Sequence, residues 1–201
     1  MTIFLDDAFL NDLHNTLGRE RFAHCCGVAA TARDLAPVWG VDKDKAHCAG
    51  LLHDFARNLA EPELLSLAQK HAYPIDLHEQ QHPILLHGVV GAFLIQESGL
   101  CDDSEILAAI RLHVTGDSGM NRLAQLIFVA DMIEPGRSYD GVEGLRNLAA
   151  TDPGQALISA LKMRMTYFAQ SGARVHPRTA VALRWALADS TGSGSVAGSD
   201  S

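Results

Sequence analysis

Adjacent His53 and Asp54 close an otherwise apolar helical stretch, CAGLLHDFARN, at residues 48–58. An imidazole and a carboxylate side by side near the end of a buried helix can reach the same cation, because the last turn loosens and both side chains can swing forward. The dipeptide alone says little in a chain with 10 His, so the weight falls on its surroundings. His53 shares a face with Ala49, Gly50 and Ala56, and four more such groups lie on the apolar stripes of their own segments. His24 goes with Val28 and Thr31, His87 with Val90, Gly91 and Leu94, His113 with Ile106, Ala109 and Ile110, and Asp131 with Leu123, Ala124 and Ile127. Burying a carboxylate is costly unless it is paired or binds a metal. Asp131, inside IFVADMIE, has no obvious Lys or Arg on its stripe. Each His taken singly reads as an ordinary core residue; five groups converging from separate helices read as a metal centre. Imidazole nitrogens with two carboxylates and no thiolate make a mixed N/O site for a first-row divalent cation, with Fe, Mn, Co and Ni all suited to it. Such an ion lowers the pKa of bound water and stabilises charge on an oxyanion.

A second motif competes. His78-Glu79-Gln80-Gln81-His82 spells H-E-x-x-H, which binds zinc only when one continuous helix puts both imidazoles on the same side. Pro74 lies just upstream and Pro83 follows directly, pushing His82 toward extended geometry. The longer metzincin pattern also fails, since Leu85 stands at its Gly and Gly88 at its third His. The stretch reads as a polar loop.

The elements that must position these groups are helical throughout. Apolar residues recur at three and four over 9–17, 22–39, 46–56, 64–72, 84–95, 106–113, 123–133, 145–149, 156–168 and 181–187, and strand alternation is absent. Gly40 and Gly99 sit where helices should stop, Pro62 and Pro83 fit first turns, and Asp152-Pro153 opens a helix. The small residues Gly27, Ala49, Gly50, Gly88 and Gly91 would let helices approach closely enough for the polar side chains to meet. Residues 1–189 read as one helical domain. The stretch 190–201, STGSGSVAGSDS, reads as a disordered Gly/Ser tail.

With 47% apolar and 20% charged residues the composition is that of a soluble globular protein. A net charge of -8 without any Lys/Arg run argues against nucleic-acid binding. Two Asp stand near the N-terminus where a signal peptide would carry positive charge. No apolar run approaches the roughly 18 residues that span a bilayer, so the expected location is the cytoplasm, without membrane contact. The cysteines Cys25, Cys26, Cys48 and Cys101 form no C-x-x-C and are expected to stay reduced.

The segments RFAHCCGV, LLHDFAR, LLHGVVGA, IRLHVTG and FVADMIEPGRSYDGVEGLR together resemble the HD superfamily of metal-dependent phosphohydrolases. Within it they resemble the YqeK-type symmetrical diadenosine tetraphosphate hydrolases, over roughly residues 15–185, with ADMIEPGR and the H-x-T-G turn the most discriminating. The resemblance implies an all-α fold, an HD-domain helical bundle with additional C-terminal helices. It implies iron or a similar cation held by His24, His53, Asp54 and Asp131. Asp54, His87 and His113 would be catalytic, with His87 and His113 facing substrate phosphates or a second metal. Arg21, Arg57 and Arg137 fall at positions that resemble polyphosphate contacts, and Val175, His176 and Thr179 lie in a segment that resembles the part closing over the nucleoside. Where Arg57 stands the family usually has Lys, which keeps the charge but changes the hydrogen-bond geometry. The implied substrate is a dinucleoside polyphosphate, split to two ADP. A nucleotidase for other nucleotides, a non-catalytic nucleotide sensor and a homodimeric assembly all stay open.

Overall fold

The structure, a computed structural model, describes residues 7–170 and 175–192. Among these it is all helical: α1 (Asp7–Leu17), α2 (Arg19–Trp39), α3 (Lys43–Leu52), α4 (Glu61–Lys70), α5 (Leu77–Gln81), a 3-10 turn (Pro83–Leu86), α6 (His87–Glu97), α7 (Ser104–Leu112), α8 (Arg122–Ile133), α9 (Val142–Thr151), α10 (Pro153–Gln170) and α11 (Pro177–Gly192). Each segment expected from apolar spacing is present. Most start two to four residues earlier than the spacing suggests, because first turns are polar, and side-chain caps hold some of them. Asp42 accepts from the backbone N–H groups of Asp44 and Lys45 at the head of α3, and Asp103 does the same for Glu105 and Ile106 at the head of α7.

The bundle is built around α8. Every residue from Leu123 to Asp131 on this helix is buried, the pattern of a helix surrounded by others rather than lying on a surface. It packs against α2, α3, α7, α9 and α10, while α10 and α11 pair as additional C-terminal helices. A smaller apolar cluster around Leu64, Leu86 and Val90 seats α4 against the 3-10 turn and α6.

Two glycines set close approaches that matter for the site. A Cβ on Gly50 would lie 2.7 Å from Ala29 Cα, so α3 lies directly on the backbone of α2. A Cβ on Gly88 would lie 2.8 Å from the Ile110 carbonyl oxygen, which brings α6 against the end of α7. Gly91, expected to do the same, meets its neighbours only at ordinary van der Waals distances.

The H-E-x-x-H stretch is not one continuous helix. The helix α5 stops at Gln81, and His82 follows it with φ -135 and ψ 72. The stretch is nonetheless ordered rather than a plain loop: Asp76 and Glu79 close a capping box. At the other end, α11 continues through Ser190 to Gly192, past the expected start of the tail. Ser190 Oγ donates to the Leu187 carbonyl, so the helix holds its last turn with a side chain that composition alone assigns to a tail. The remaining tail residues, 193–201, lie outside the described residues. Among the described residues no helix is long and apolar enough to cross a membrane.

Candidate metal centre and active site

Three of the candidate histidines sit where helices end or begin. His53 is the C-cap of α3, His113 the C-cap of α7, and His87 the junction between the 3-10 turn and α6. Each ring donates its Nδ1–H to the backbone carbonyl three residues earlier: His53 to Gly50 at 2.7 Å, His87 to Ile84 at 2.5 Å and His113 to Ile110 at 2.8 Å. A carbonyl can only accept, so these contacts put a proton on Nδ1, and in the neutral ring the lone pair is then on Nε2. His24 differs, since it lies within α2, and its Nδ1 faces the Glu134 carboxylate at 3.2 Å.

All four Nε2 atoms converge on Asp54. Its Oδ2 lies 3.5 Å from His53 Nε2 and 4.0 Å from His24 Nε2, while its Oδ1 lies 3.1 Å from His87 Nε2 and 3.5 Å from His113 Nε2. Asp131 Oδ1 stands 3.2 Å from His24 Nε2. Two sets result, His24, His53 and Asp131 on one side of Asp54 and His87 with His113 on the other. The donor atoms fit a divalent cation. Ligands of one first-row ion at about 2.1 Å stand roughly 3.0–3.4 Å apart, close to these spacings. His53 Nε2 is buried without a hydrogen-bond partner, and such an atom calls for a ligand. Cys25 lies near His53 and Asp54, and burial pushes its thiol up.

Three guanidinium groups surround the carboxylates. Arg21 Nη1 donates to Asp54 Oδ2 at 2.9 Å, Arg137 Nη2 to Asp131 Oδ1 at 2.6 Å, and Arg164 Nη2 to Asp131 Oδ2 at 3.2 Å. Asp131 therefore does have basic partners. They come from the loop after α8 and from α10, off its own stripe, so its burial alone does not require a metal; the imidazole lone pairs make that case. Against the opposing effect of burial, the polar surroundings of Asp54 hold its carboxyl well below the usual carboxylate range. Asp131 is likewise raised by burial and lowered further by His24, His53 and Arg164. For His113, burial with help from His53 and His87 brings the ring down to about 4. That makes it a neutral imidazole near pH 7.

The remaining expected residues fall into two places. Arg57 lies on the turn carrying Asp54, its N–H donating to the Asp54 carbonyl at 2.8 Å. Val175 is half-buried, just ahead of α11. Thr179 Oγ1 donates to the Thr115 carbonyl at 2.8 Å, pinning α11 two residues beyond His113. His176 is directed elsewhere: its Nε2 stands 3.0 Å from Asp76 Oδ2, and its Nδ1 accepts from the Arg178 N–H at 3.1 Å. Beside it, Glu79 takes Tyr73 Oη at 2.9 Å and Arg178 at 3.1 Å, so the Glu of H-E-x-x-H anchors α11. Glu134 and Arg164 are site residues that the sequence reading missed. The signal for Glu134 was available, one turn after Asp131 in ADMIEPGR; Arg164 is brought in only by tertiary folding.

The HD domain family matches residues 21–136. A symmetrical bis(5'-nucleosyl)-tetraphosphatase of Bacillus subtilis (strain 168) is 37% identical over 174 residues, covering 87% of this chain and 93% of the relative. Another protein of that name, from Halalkalibacterium halodurans, is 36% identical over 163 residues, covering 81% of this chain and 87% of the relative. A crystal structure from Clostridium acetobutylicum, described as a predicted HD superfamily hydrolase involved in NAD metabolism, superposes with a TM-score of 0.89 at 32% identity. It covers 94% of this chain and 100% of that one. With the His/Asp cluster and the all-α bundle already in place, the chain belongs to the HD domain family, in the group that holds the symmetrical bis(5'-nucleosyl)-tetraphosphatases.

Proposed function

We propose that this protein is a metal-dependent phosphohydrolase that cleaves diadenosine tetraphosphate symmetrically to two ADP, a reading supported by relatives named symmetrical bis(5'-nucleosyl)-tetraphosphatases. The observation that carries the reading is the Asp54 carboxylate with histidine Nε2 atoms gathered at both of its oxygens. His24, His53, Asp54 and Asp131 would hold a divalent metal, iron by family resemblance, with Mn, Co or Ni compatible with the same N/O donors. When bound, the metal supplies Lewis acidity and an activated water for attack on phosphorus.

The chain's own residues do the rest. The Nε2 atoms of His87 and His113, with Asp54 Oδ1, suit a second cation, since both Nδ1–H groups are already committed to backbone carbonyls. Arg21 and Arg137 lie at the partly exposed edge, with side chains 33% and 39% exposed, where they can meet polyphosphate oxygens. Arg57 is half-buried, three residues after Asp54, and would add a third positive charge. Val175 and Thr179 would border the nucleoside through the docked start of α11, which His176 ties to Asp76. The acidic chain with its free cysteines suits a cytoplasmic enzyme.

The test is a turnover comparison with metal-loaded protein. Diadenosine tetraphosphate should be consumed much faster than AMP, ADP or ATP at equal concentration. Preference for a mononucleotide would make the protein a nucleotidase instead, and binding without turnover would make it a sensor.

A further inference from the structure

We propose that Glu134 is a positioning residue for the metal centre, accepting the Nδ1–H of His24 and thereby fixing which nitrogen of that ring faces the metal. The proposal rests on the reading of His24 as a ligand. Its basis is the difference between His24 and the other three histidines. His53, His87 and His113 stand at helix ends, and each uses the carbonyl three residues back as its Nδ1 acceptor. His24 stands in the interior of α2 (Arg19–Trp39), where the carbonyls serve the helix itself. It must find its acceptor on another element, and the one present is Glu134 Oε1 at 3.2 Å.

Glu134 is built for that task. It is only 6% exposed, it caps the C-terminal end of α8 one turn beyond Asp131, and its other oxygen, Oε2, accepts the Gly136 N–H at 2.6 Å. Glycines flank it on both sides. A Cβ on Gly27 would lie 2.7 Å from Oε2, and one on Gly136 would lie 2.9 Å from Oε1. Gly27 thus makes room for a carboxylate rather than for a helix backbone. With Nδ1–H held, the Nε2 lone pair points at Asp131 Oδ1, 3.2 Å away. One short segment therefore supplies both a ligand carboxylate and the acceptor that aims a ligand imidazole. Such outer partners of metal-bound histidine typically govern 10–100-fold in metal affinity.

The two oxygens of Glu134 face two N–H donors, so an amide cannot replace the carboxylate: its NH2 would confront one donor or the other. Glu134→Gln, with nearly the same shape, should therefore act like Glu134→Ala. The experiment titrates metal-free full-length protein with Co2+, reading visible absorption and equilibrium dialysis, with melting of the metal-free protein as the folding control. Wild type is compared with Glu134→Gln, Glu134→Ala, His24→Ala and the His24→Ala/Glu134→Ala double variant. Both Glu134 variants should bind Co2+ about ten-fold or more weakly, and the double variant should bind no worse than His24→Ala alone. Gly27→Ala should shift affinity in the same direction as Glu134→Gln. Undiminished Co2+ affinity in Glu134→Gln, or losses that add in the double variant, would overturn the proposal while leaving the metal site intact. Unchanged affinity in His24→Ala would instead remove the ligand reading on which it stands.

Discussion

His87 and His113 meet nitrogen to nitrogen, Nε2 to Nε2 at 3.0 Å, although each ring has already given its Nδ1–H to a backbone carbonyl. Two lone pairs held this close repel unless a proton or a metal ion lies between them. The contact is kept by packing at Gly88, where α6 touches the carbonyl end of α7. It gives the second half of the site its own requirement for a cation, separate from that of His24, His53 and Asp131.

A division of labour follows between Asp54 and His113. Asp54 serves both sets of donors, and Asp54→Asn removes a negative charge that offsets the cation with little change of shape. Metal content should fall to a small fraction of wild type. His113→Ala leaves His24, His53, Asp54 and Asp131 in place, so the first ion should remain while turnover drops by roughly a hundred-fold or more. His82→Ala, at an exposed position outside α5, should change neither. Elemental analysis and turnover rates on the three variants decide the matter; normal turnover in His113→Ala would contradict the assignment.

Arg164 is a strut from the C-terminal helices to the site. It reaches Asp131 Oδ2, donates to the carbonyls of His113 at 3.1 Å and Val114 at 2.6 Å, and lies over the Phe128 ring at 4.4 Å. Arg164→Lys keeps the charge but cannot make this fork of contacts. Urea unfolding should show a loss of about 2 kcal/mol or more for Arg164→Ala, with Lys recovering only a minor part. Full recovery by Lys would mean that charge alone matters there.

Much of this was legible in the chain. The apolar spacing marked every helix except α5, which is short, polar and held by a capping box rather than by an apolar face. His24, His53, His87, His113 and Asp131 stood out because polar groups on apolar stripes need a destination, and they do share one. The partner of Asp131 on α10 was not legible. Arg164 lies 33 residues away on a helix whose pairing with α8 is tertiary, and a stripe analysis sees only its own helix. The role of His176 was similarly hidden, because its partner Asp76 belongs to a turn with no periodic signal.

The close seating of α3 on α2 makes Gly50 a sensitive point. Gly50→Ala would place a methyl 2.7 Å from Ala29 Cα and 2.9 Å from Ala29 N, against backbone that cannot rotate aside. Chemical denaturation should show a loss of about 1–3 kcal/mol, and the His53–His24 spacing should widen enough to weaken metal binding. Wild-type stability in this variant would show that the helices separate more easily than their packing implies.

Removing the metal should itself be visible in stability. A cation that binds only the folded chain adds about 2.7 kcal/mol at a hundred times its Kd. Chelation should therefore lower the melting temperature by several degrees, and added Co2+ or Mn2+ should restore it. Equal melting with and without chelator would indicate that the polar cluster is satisfied by its own ion pairs.

The most direct measurement is the product spectrum of diadenosine tetraphosphate with metal-loaded wild type and Asp54→Asn, resolved by chromatography during the first turnovers. Wild type should yield ADP as the only nucleotide product, two for each substrate consumed, and Asp54→Asn should yield almost none. ATP and AMP in equal amounts, or ADP formed as fast by Asp54→Asn as by wild type, would contradict symmetrical hydrolysis at this site.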